Sequence, residues 1–310
     1  MSQNARRSSP PRADARIEGI VVAAFGRHFE VRTATGIVRC HTRGRKNTYA
    51  CGDEVEIAPA GDGLGVIETL HPRRNLLWRS DAFRQKLIAA NLSRIVVVVA
   101  PAPRFSSLLV SRCLAAAESE NLSALIVLNK ADLVDNLPAA RERLQVFAAL
   151  GYPVIELSAL ANADALAPWL HGERAIFVGQ SGMGKSTLIN ALVPEASAAT
   201  TEISDALGSG RHTTTFSRLY PRDGDGWLID SPGLQAFGLA HLDVAALEAA
   251  FVEFRPRLGQ CRFRDCRHDT EPGCELRAAV AAGLIDARRF AHFRIILAEI
   301  AAARRANPSW

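Results

Sequence analysis

Gly179-Gln180-Ser181-Gly182-Met183-Gly184-Lys185-Ser186 packs three glycines, a lysine and two hydroxyls into eight residues, between the aliphatic run Ala175–Val178 and the amphipathic segment Thr187–Leu192. Glycines at this spacing let backbone N–H groups turn toward phosphate oxygens, and a helix starting at the lysine offers its unpaired amides to the same anion. In such a loop Lys185 reaches the β and γ phosphates, Ser186 coordinates Mg²⁺, and Thr187 closes the phosphate-binding set.

A carboxylate at the end of a second apolar run, in Asp230-Ser231-Pro232-Gly233, suits a magnesium-bound water, and Gly233 offers a backbone contact to a γ phosphate. Alone this segment also reads as an Asx or proline turn. Asn129-Lys130-Ala131-Asp132 comes after a third aliphatic run. Asp132 matches the N1–H and exocyclic amine of guanine, Asn129 bridges base and loop, and the Lys130 stem covers the ring. Adenine lacks donors at those places, a mismatch worth roughly 10⁴-fold in discrimination. Ser158, Ala159 and Leu160 come after Val154–Leu157 and are expected to give a backbone contact to guanine O6.

Between the phosphate loop and Asp230 lies Gly210-Arg211-His212-Thr213-Thr214-Thr215. Thr214, with Thr213 as the alternative, is expected to reach Mg²⁺ and the γ phosphate. Leu234 follows Gly233 where some hydrolases carry a water-orienting glutamine, so His212 becomes the candidate to position water. His212 has an equally simple role in holding the loop or meeting RNA. The hydrolytic elements run in an unusual order, with the base-reading residues 129–132 and 158–160 ahead of the phosphate loop.

Cys261, Cys266, His268 and Cys274 bring three thiols and an imidazole into fourteen residues. Four such ligands close a tetrahedral site with no open position, the form of a structural zinc. Other metals, or thiols without a metal, are the alternatives. Arg255, Arg257, Arg262, Arg264 and Arg267 surround the cluster and would face phosphate backbone or solvent.

The elements that must position these groups are read from patterning. Five short, partly alternating strands between Ile17 and Leu70 suggest an OB-like β-barrel, with Arg39, Arg43, Arg45 and Lys46 around one loop. From Ile95 onward, unbroken aliphatic strands alternate with helices, as in a sheet covered on both faces. Beyond Val244 the pattern is mainly helical. Arginine outnumbers lysine 33 to 4, and two of the four lysines, Lys130 and Lys185, sit in nucleotide motifs. Residues 1–80 carry net charge +5, 81–250 carry −4 and 251–310 carry +4, an arrangement in which basic flanks present a nucleotide-using centre to RNA. With no apolar leader in Met1–Arg16 and no apolar run long enough to span a bilayer, a cytoplasmic protein without a membrane partner is expected.

Taken together, NKAD at 129–132, SAL at 158–160, GQSGMGKS at 179–186, GRHTTT at 210–215, DSPG at 230–233 and the Cys261, Cys266, His268, Cys274 set resemble the RsgA/YjeQ family of circularly permuted GTPases. That resemblance implies a multidomain chain: a disordered basic tail (1–16), an OB-like RNA-binding barrel (17–72), a basic linker (73–90), a circularly permuted α/β P-loop GTPase (91–243) and a C-terminal helical zinc-binding domain (244–310). It further implies a protein that binds the small ribosomal subunit and its rRNA, hydrolyses GTP to GDP with Mg²⁺, and does so faster on the ribosome; a monomer is expected. A GTP-regulated RNA switch on another ribonucleoprotein, or a translation factor, is the alternative. Asn91-Leu92-Ser93-Arg94 departs from the more acidic wording the family favours, which touches a local contact only.

Overall fold

The computed structural model describes residues 16–44, 49–80, 85–194, 196, 217–222, 224–231 and 238–306. The basic loop residues Arg45 and Lys46, the tail before residue 16, and His212, Thr213, Thr214 and Gly233 lie outside the described residues.

Strands β1 (Ile17–Phe25), β2 (His28–Thr33), β3 (Gly36–Thr42), β4 (Glu54–Gly61) and β5 (Leu64–Leu70) pair in the order β1-β2-β3-β5-β4. β4 then returns to β1, which closes a five-stranded barrel. Alternate side chains of β2 and β4 point inward, so Phe29, Val31, Val55 and Ile57 meet Val21, Cys40 and Ile67 in one small core. Both thiols of this region, Cys40 and Cys51, are buried.

Residues 73–90 differ from the linker expected of them. β6 (Leu76–Ser80) and β7 (Gln85–Ala90) form an antiparallel ribbon. Its apolar positions are real core: Leu77, Ile88, Ala89 and Ala90 are buried. Arg73 and Arg74, which suggested a solvated linker, are instead held in place. Arg73 makes a two-point ion pair with the fully buried Asp53 (2.6 and 2.7 Å), and Arg74 N–H donates to Asn91 Oδ1 (2.9 Å). Asn91 Nδ2 donates to Gly52 O (3.0 Å), so this residue bolts the barrel to the first strand of the α/β module.

That central module contains β8 (Arg94–Val99), α1 (Ser107–Ser119), β9 (Ser123–Leu128), α2 (Leu137–Ala149), β10 (Val154–Glu156), α3 (Ala167–Leu170), β11 (Arg174–Val178), α4 (Lys185–Leu192), β12 (Arg218–Pro221) and β13 (Trp227–Asp230). Parallel strands run in the order β10-β9-β8-β11-β13, with β12 antiparallel at the end. Their interiors are buried on both faces, which is why they read as aliphatic runs without polar alternation. β12 also pairs with β1 of the barrel, Ala23 opposite Arg218, so barrel and α/β sheet form one continuous eleven-stranded sheet. The Arg218–Glu30 ion pair (3.0 Å) and Arg174–Glu54 (2.8 Å) brace that seam.

The C-terminal module consists of α5 (Val244–Ala250), a 3₁₀ helix (Val252–Arg257), α6 (Glu275–Ala281) and α7 (Ala287–Ala306). Phe251, Phe254 and Phe293 stack edge and face at 5.0–5.4 Å between centroids and form its core. The module docks on α1: Arg112 binds Glu299 with both guanidinium arms at 2.6 Å, Arg255 pairs with Glu118, and Ser111 Oγ meets His292 Nδ1 at 2.8 Å. Among the described residues no helix is long and apolar enough to cross a membrane.

Candidate nucleotide site and metal centre

Because β8, β9, β10, β11 and β13 are parallel, the segments that leave their carboxyl ends gather along one edge of the sheet, where open α/β folds bind ligands. Residues 129–132 leave β9, 158–160 come after β10, 179–186 leave β11, and Asp230 ends β13. The permuted order is therefore no obstacle, since strand position and not chain order decides which loops meet.

The phosphate-type loop and the base-type loop are stitched together by Asn129, which is 1 % exposed. Its Nδ2 donates to Met183 O (3.0 Å), and its Oδ1 accepts from Ala159 N–H (2.9 Å), so one side chain links three motifs. Gly184 has φ +85°, and a Cβ there would lie 2.4 Å from Asn129 Nδ2. Gly179 has φ +150°, and a Cβ there would lie 2.2 Å from Val98 O. Both glycines are thus required by close approach as well as by backbone conformation.

Lys185 is buried and folds back on its own loop, donating to Gly179 O (2.8 Å) and Gln180 O (3.0 Å). Burial pushes its ammonium pKa down, while the Asp230 carboxylate opposes that shift. Ser186 and Thr187 open α4 and are exposed, as are Ser181 and Gly182, whereas Met183 is buried beneath the loop. The neighbouring Ser231 is fully buried, with its hydroxyl donating to Phe177 O of β11 (2.6 Å). That bond ties the end of β13 to the strand that carries the phosphate-type loop.

Asp132 is exposed and accepts from Ser158 Oγ at 2.6 Å; that hydrogen bond first, and a backbone one second, hold its carboxyl below the usual range. Ser158, from which a backbone contact to the base is expected, thus contributes its side chain to Asp132. The amides of Ser158 and Ala159 go to Asn162 Oδ1 and Asn129 Oδ1, and the Leu160 side chain is 84 % exposed at the tip. Lys130, with φ +62°, donates from Nζ to Ala102 O (3.1 Å).

Two partners carry no motif in the sequence. Ser106 N–H donates to Gln180 Oε1 (2.6 Å), so the connection between β8 and α1 holds the phosphate-type loop from the side. Glu248 of α5, twenty positions from His268, accepts from its Nε2 (3.0 Å). A carboxylate behind a ligating imidazole is the usual way to fix the ring, so an acid on a neighbouring helix is the signal that could have found it.

The ligand atoms of Cys261, Cys266, His268 and Cys274 lie within 4.8 Å of one another. His268 Nδ1 faces Cys274 Sγ (3.3 Å) and Cys261 Sγ (3.7 Å). With Nε2 turned to Glu248, Nδ1 is the nitrogen presented to the thiols, and the four groups are disposed to hold a metal ion.

A parallel sheet edge with interlocked phosphate-type and base-type loops, preceded by a small barrel and followed by a helical Cys/His module, defines a circularly permuted P-loop GTPase. The family model described as RsgA GTPase matches residues 70–240. Relatives named small ribosomal subunit biogenesis GTPase RsgA include that of Nitrosomonas europaea, 53 % identical over 279 residues and 89 % of both chains, and that of Bordetella pertussis, 53 % identical over 293 residues, 93 % of this chain and 97 % of the other. Among solved structures, YjeQ from Thermotoga maritima is 30 % identical with a TM-score of 0.70, covering 93 % of this chain and 99 % of that one. YloQ, described as a circularly permuted GTPase, is 25 % identical with a TM-score of 0.66, covering 95 % and 98 %. The chain belongs to the RsgA GTPase family.

Proposed function

We propose that this GTPase hydrolyses GTP during late maturation of the small ribosomal subunit, binding rRNA through its basic flanks and turning over faster when the subunit is present. The observation that carries the nucleotide half of this reading is the Asn129 clip, which joins the loop suited to phosphate to the loop suited to guanine. The names of relatives about half identical over nearly the whole chain support the ribosomal half.

In this reading the amides of 179–187 and Lys185 cradle the β and γ phosphates, and Lys185 exchanges its two loop carbonyls for phosphate oxygens. Ser186 and Thr214 would hold Mg²⁺ with Asp230 beside it, and the ion would offset charge on the β and γ phosphates, while Gly233 would contact the γ phosphate and His212 would orient the attacking water. Asp132, pre-aligned by Ser158, accepts the two guanine donors, and since the Ser158 and Ala159 amides are held by Asn162 and Asn129, the Leu160 amide is the one of the three left to meet O6.

For the Cys/His centre we favour structural zinc. A tetrahedron with arms of ~2.3 Å to sulfur and ~2.0 Å to nitrogen has N–S edges of about 3.5 Å. The observed 3.3 and 3.7 Å from His268 Nδ1 to two thiols bracket that value. When bound, the ion supplies order to an irregular segment. Its residues then display Arg262, Arg264 and Arg267 toward rRNA phosphates, in a monomer working in the cytoplasm.

The test is phosphate release from GTP and ATP, with and without purified small subunits. Guanine-selective turnover that rises with small subunits, and that Lys185→Ala abolishes, is the expected result. Equal use of ATP removes the base assignment, and stimulation by large subunits or unrelated RNA alone removes the ribosomal one.

A further inference from the structure

Away from the nucleotide edge, a cavity of about 350 Å³ opens where α1 and α2 of the GTPase core face α7 of the C-terminal module. Arg104, Arg143, Arg288, Arg289 and His292 line it, with no acidic side chain in its wall. The N-terminal end of α1, at Ser106 and Ser107, completes one side, where the helix dipole favours negative charge.

Two of the four arginines here have no acidic partner among the described residues. Among the described residues Arg104 and Arg143 form no ion pair, and Arg143 donates to Phe105 O (2.7 Å) and Ser107 Oγ (3.2 Å). Burial first, then the nearby Arg104 and Arg288, lower the pKa of Arg143, the mark of cations crowded against one another. Arg288 is paired with Asp286 (3.1 Å). Behind the wall lies Arg289, which is 1 % exposed. Its Nε and Nη2 bind Glu253 at 2.7 and 3.2 Å, while Nη1 is buried with no acceptor. Its guanidinium packs against the rings of Phe147 and Phe251, 5.6 and 4.3 Å from their centroids, so Arg289 adds charge behind the wall while Arg104, Arg143 and Arg288 are the groups an anion in the cavity would meet.

We infer that this cavity is a second anion site, distinct from the GTP site, which takes a small phosphorylated anion and thereby ties the C-terminal module to the GTPase core. Size favours a small ligand over a polymer, since the volume lies at the lower end of small-molecule pockets, ~300–1,000 Å³, and the wall is shared by three helices. Arginine forks suit phosphoryl oxygens in geometry as well as charge. The site also has a route to the nucleotide. Arg104 belongs to the same short connection whose Ala102 O holds Lys130 and whose Ser106 N–H holds Gln180, so filling the cavity steadies both loops that flank GTP.

The experiment is calorimetric titration of inorganic pyrophosphate into the full-length chain saturated with GDP, so that the phosphate loop is already occupied, with free Mg²⁺ kept in excess. One saturable site is expected. Arg104→Ala and Arg288→Ala, both at exposed positions, should each weaken it on the order of tenfold. The pyrophosphate-dependent rise in thermal midpoint should shrink in step, while the midpoint without pyrophosphate stays at the parent value. The inference is overturned if pyrophosphate gives no heat at millimolar concentration, or if both variants bind it as the parent does. A single-stranded oligouridylate that binds the GDP-saturated parent more tightly than pyrophosphate, and loses that binding in the same variants, would also overturn it by assigning the surface to RNA.

Discussion

Replacing Asn129 by alanine removes both arms of the clip at once. Met183 O loses its donor at 3.0 Å and Ala159 N–H its acceptor at 2.9 Å, and both bonds are buried. Each buried group left unsatisfied costs on the order of 1–3 kcal/mol, and loop relaxation with water entry brings the pair to about 2–3 kcal/mol. That cost falls on the aligned loops and should appear as guanine nucleotide affinity about 30- to 150-fold weaker, since about 1.4 kcal/mol is tenfold. Asn129→Asp sharpens the case: it keeps the acceptor for Ala159 but sets a carboxylate oxygen against Met183 O, so it should bind no better than alanine. Titration with a fluorescent GDP analogue measures the affinities, and urea unfolding monitors the fold. An alanine variant that bound GDP within a few-fold of the parent would refute the claim that this side chain aligns the two loops.

Other contacts give further expected outcomes. Ser158→Ala removes the main interaction holding the Asp132 carboxyl low, so its pKa should rise; because a depressed carboxylate contributes above its pKa and is lost as pH falls, the acid limit of GDP binding should move to higher pH in the variant. Arg289→Met strands the nearly buried Glu253 carboxylate and should cost about 3–5 kcal/mol in urea unfolding, whereas the double variant with Glu253→Gln should recover much of it. Glu248→Gln should weaken metal retention by roughly 10- to 100-fold, read by competition with a chromophoric chelator. Stripping the metal altogether should leave 261–274 open to protease while the barrel resists.

Much of the molecule was legible because its chemistry is local. The glycine-spaced loop at 179–186, the Asn129–Asp132 segment and the three thiols with an imidazole in fourteen residues stand out by type and spacing, and the structure brings the members of each set together. Aliphatic strands and helices kept to their periods, so the barrel and the covered sheet were anticipated. What stayed hidden depends on long-range partners. Arg73 and Arg74 looked like part of a basic linker, yet the buried Asp53 carboxylate captures the Arg73 side chain and Asn91 the Arg74 backbone, where Leu77, Ile88 and Ala89 pack. Ser158 looked like a source of amides, and its hydroxyl is committed to Asp132. Ser106 carries no signature and Glu248 only that of an acid on a nearby helix, since their roles arise only when segments far apart in the chain come together.

One residue sits at a junction of ladders: Arg218 is register partner to Asp230 on one side and to Ala23 on the other. The barrel is thus not tethered to the catalytic body by a flexible string but is the next plank of the same deck, one strand removed from the aspartate that ends β13. A displacement of β13 that keeps its ladder to β12 must either tear β12 away from β1 or carry the barrel with it, so the surface that would grip RNA and the strand that ends in Asp230 share a common hinge line.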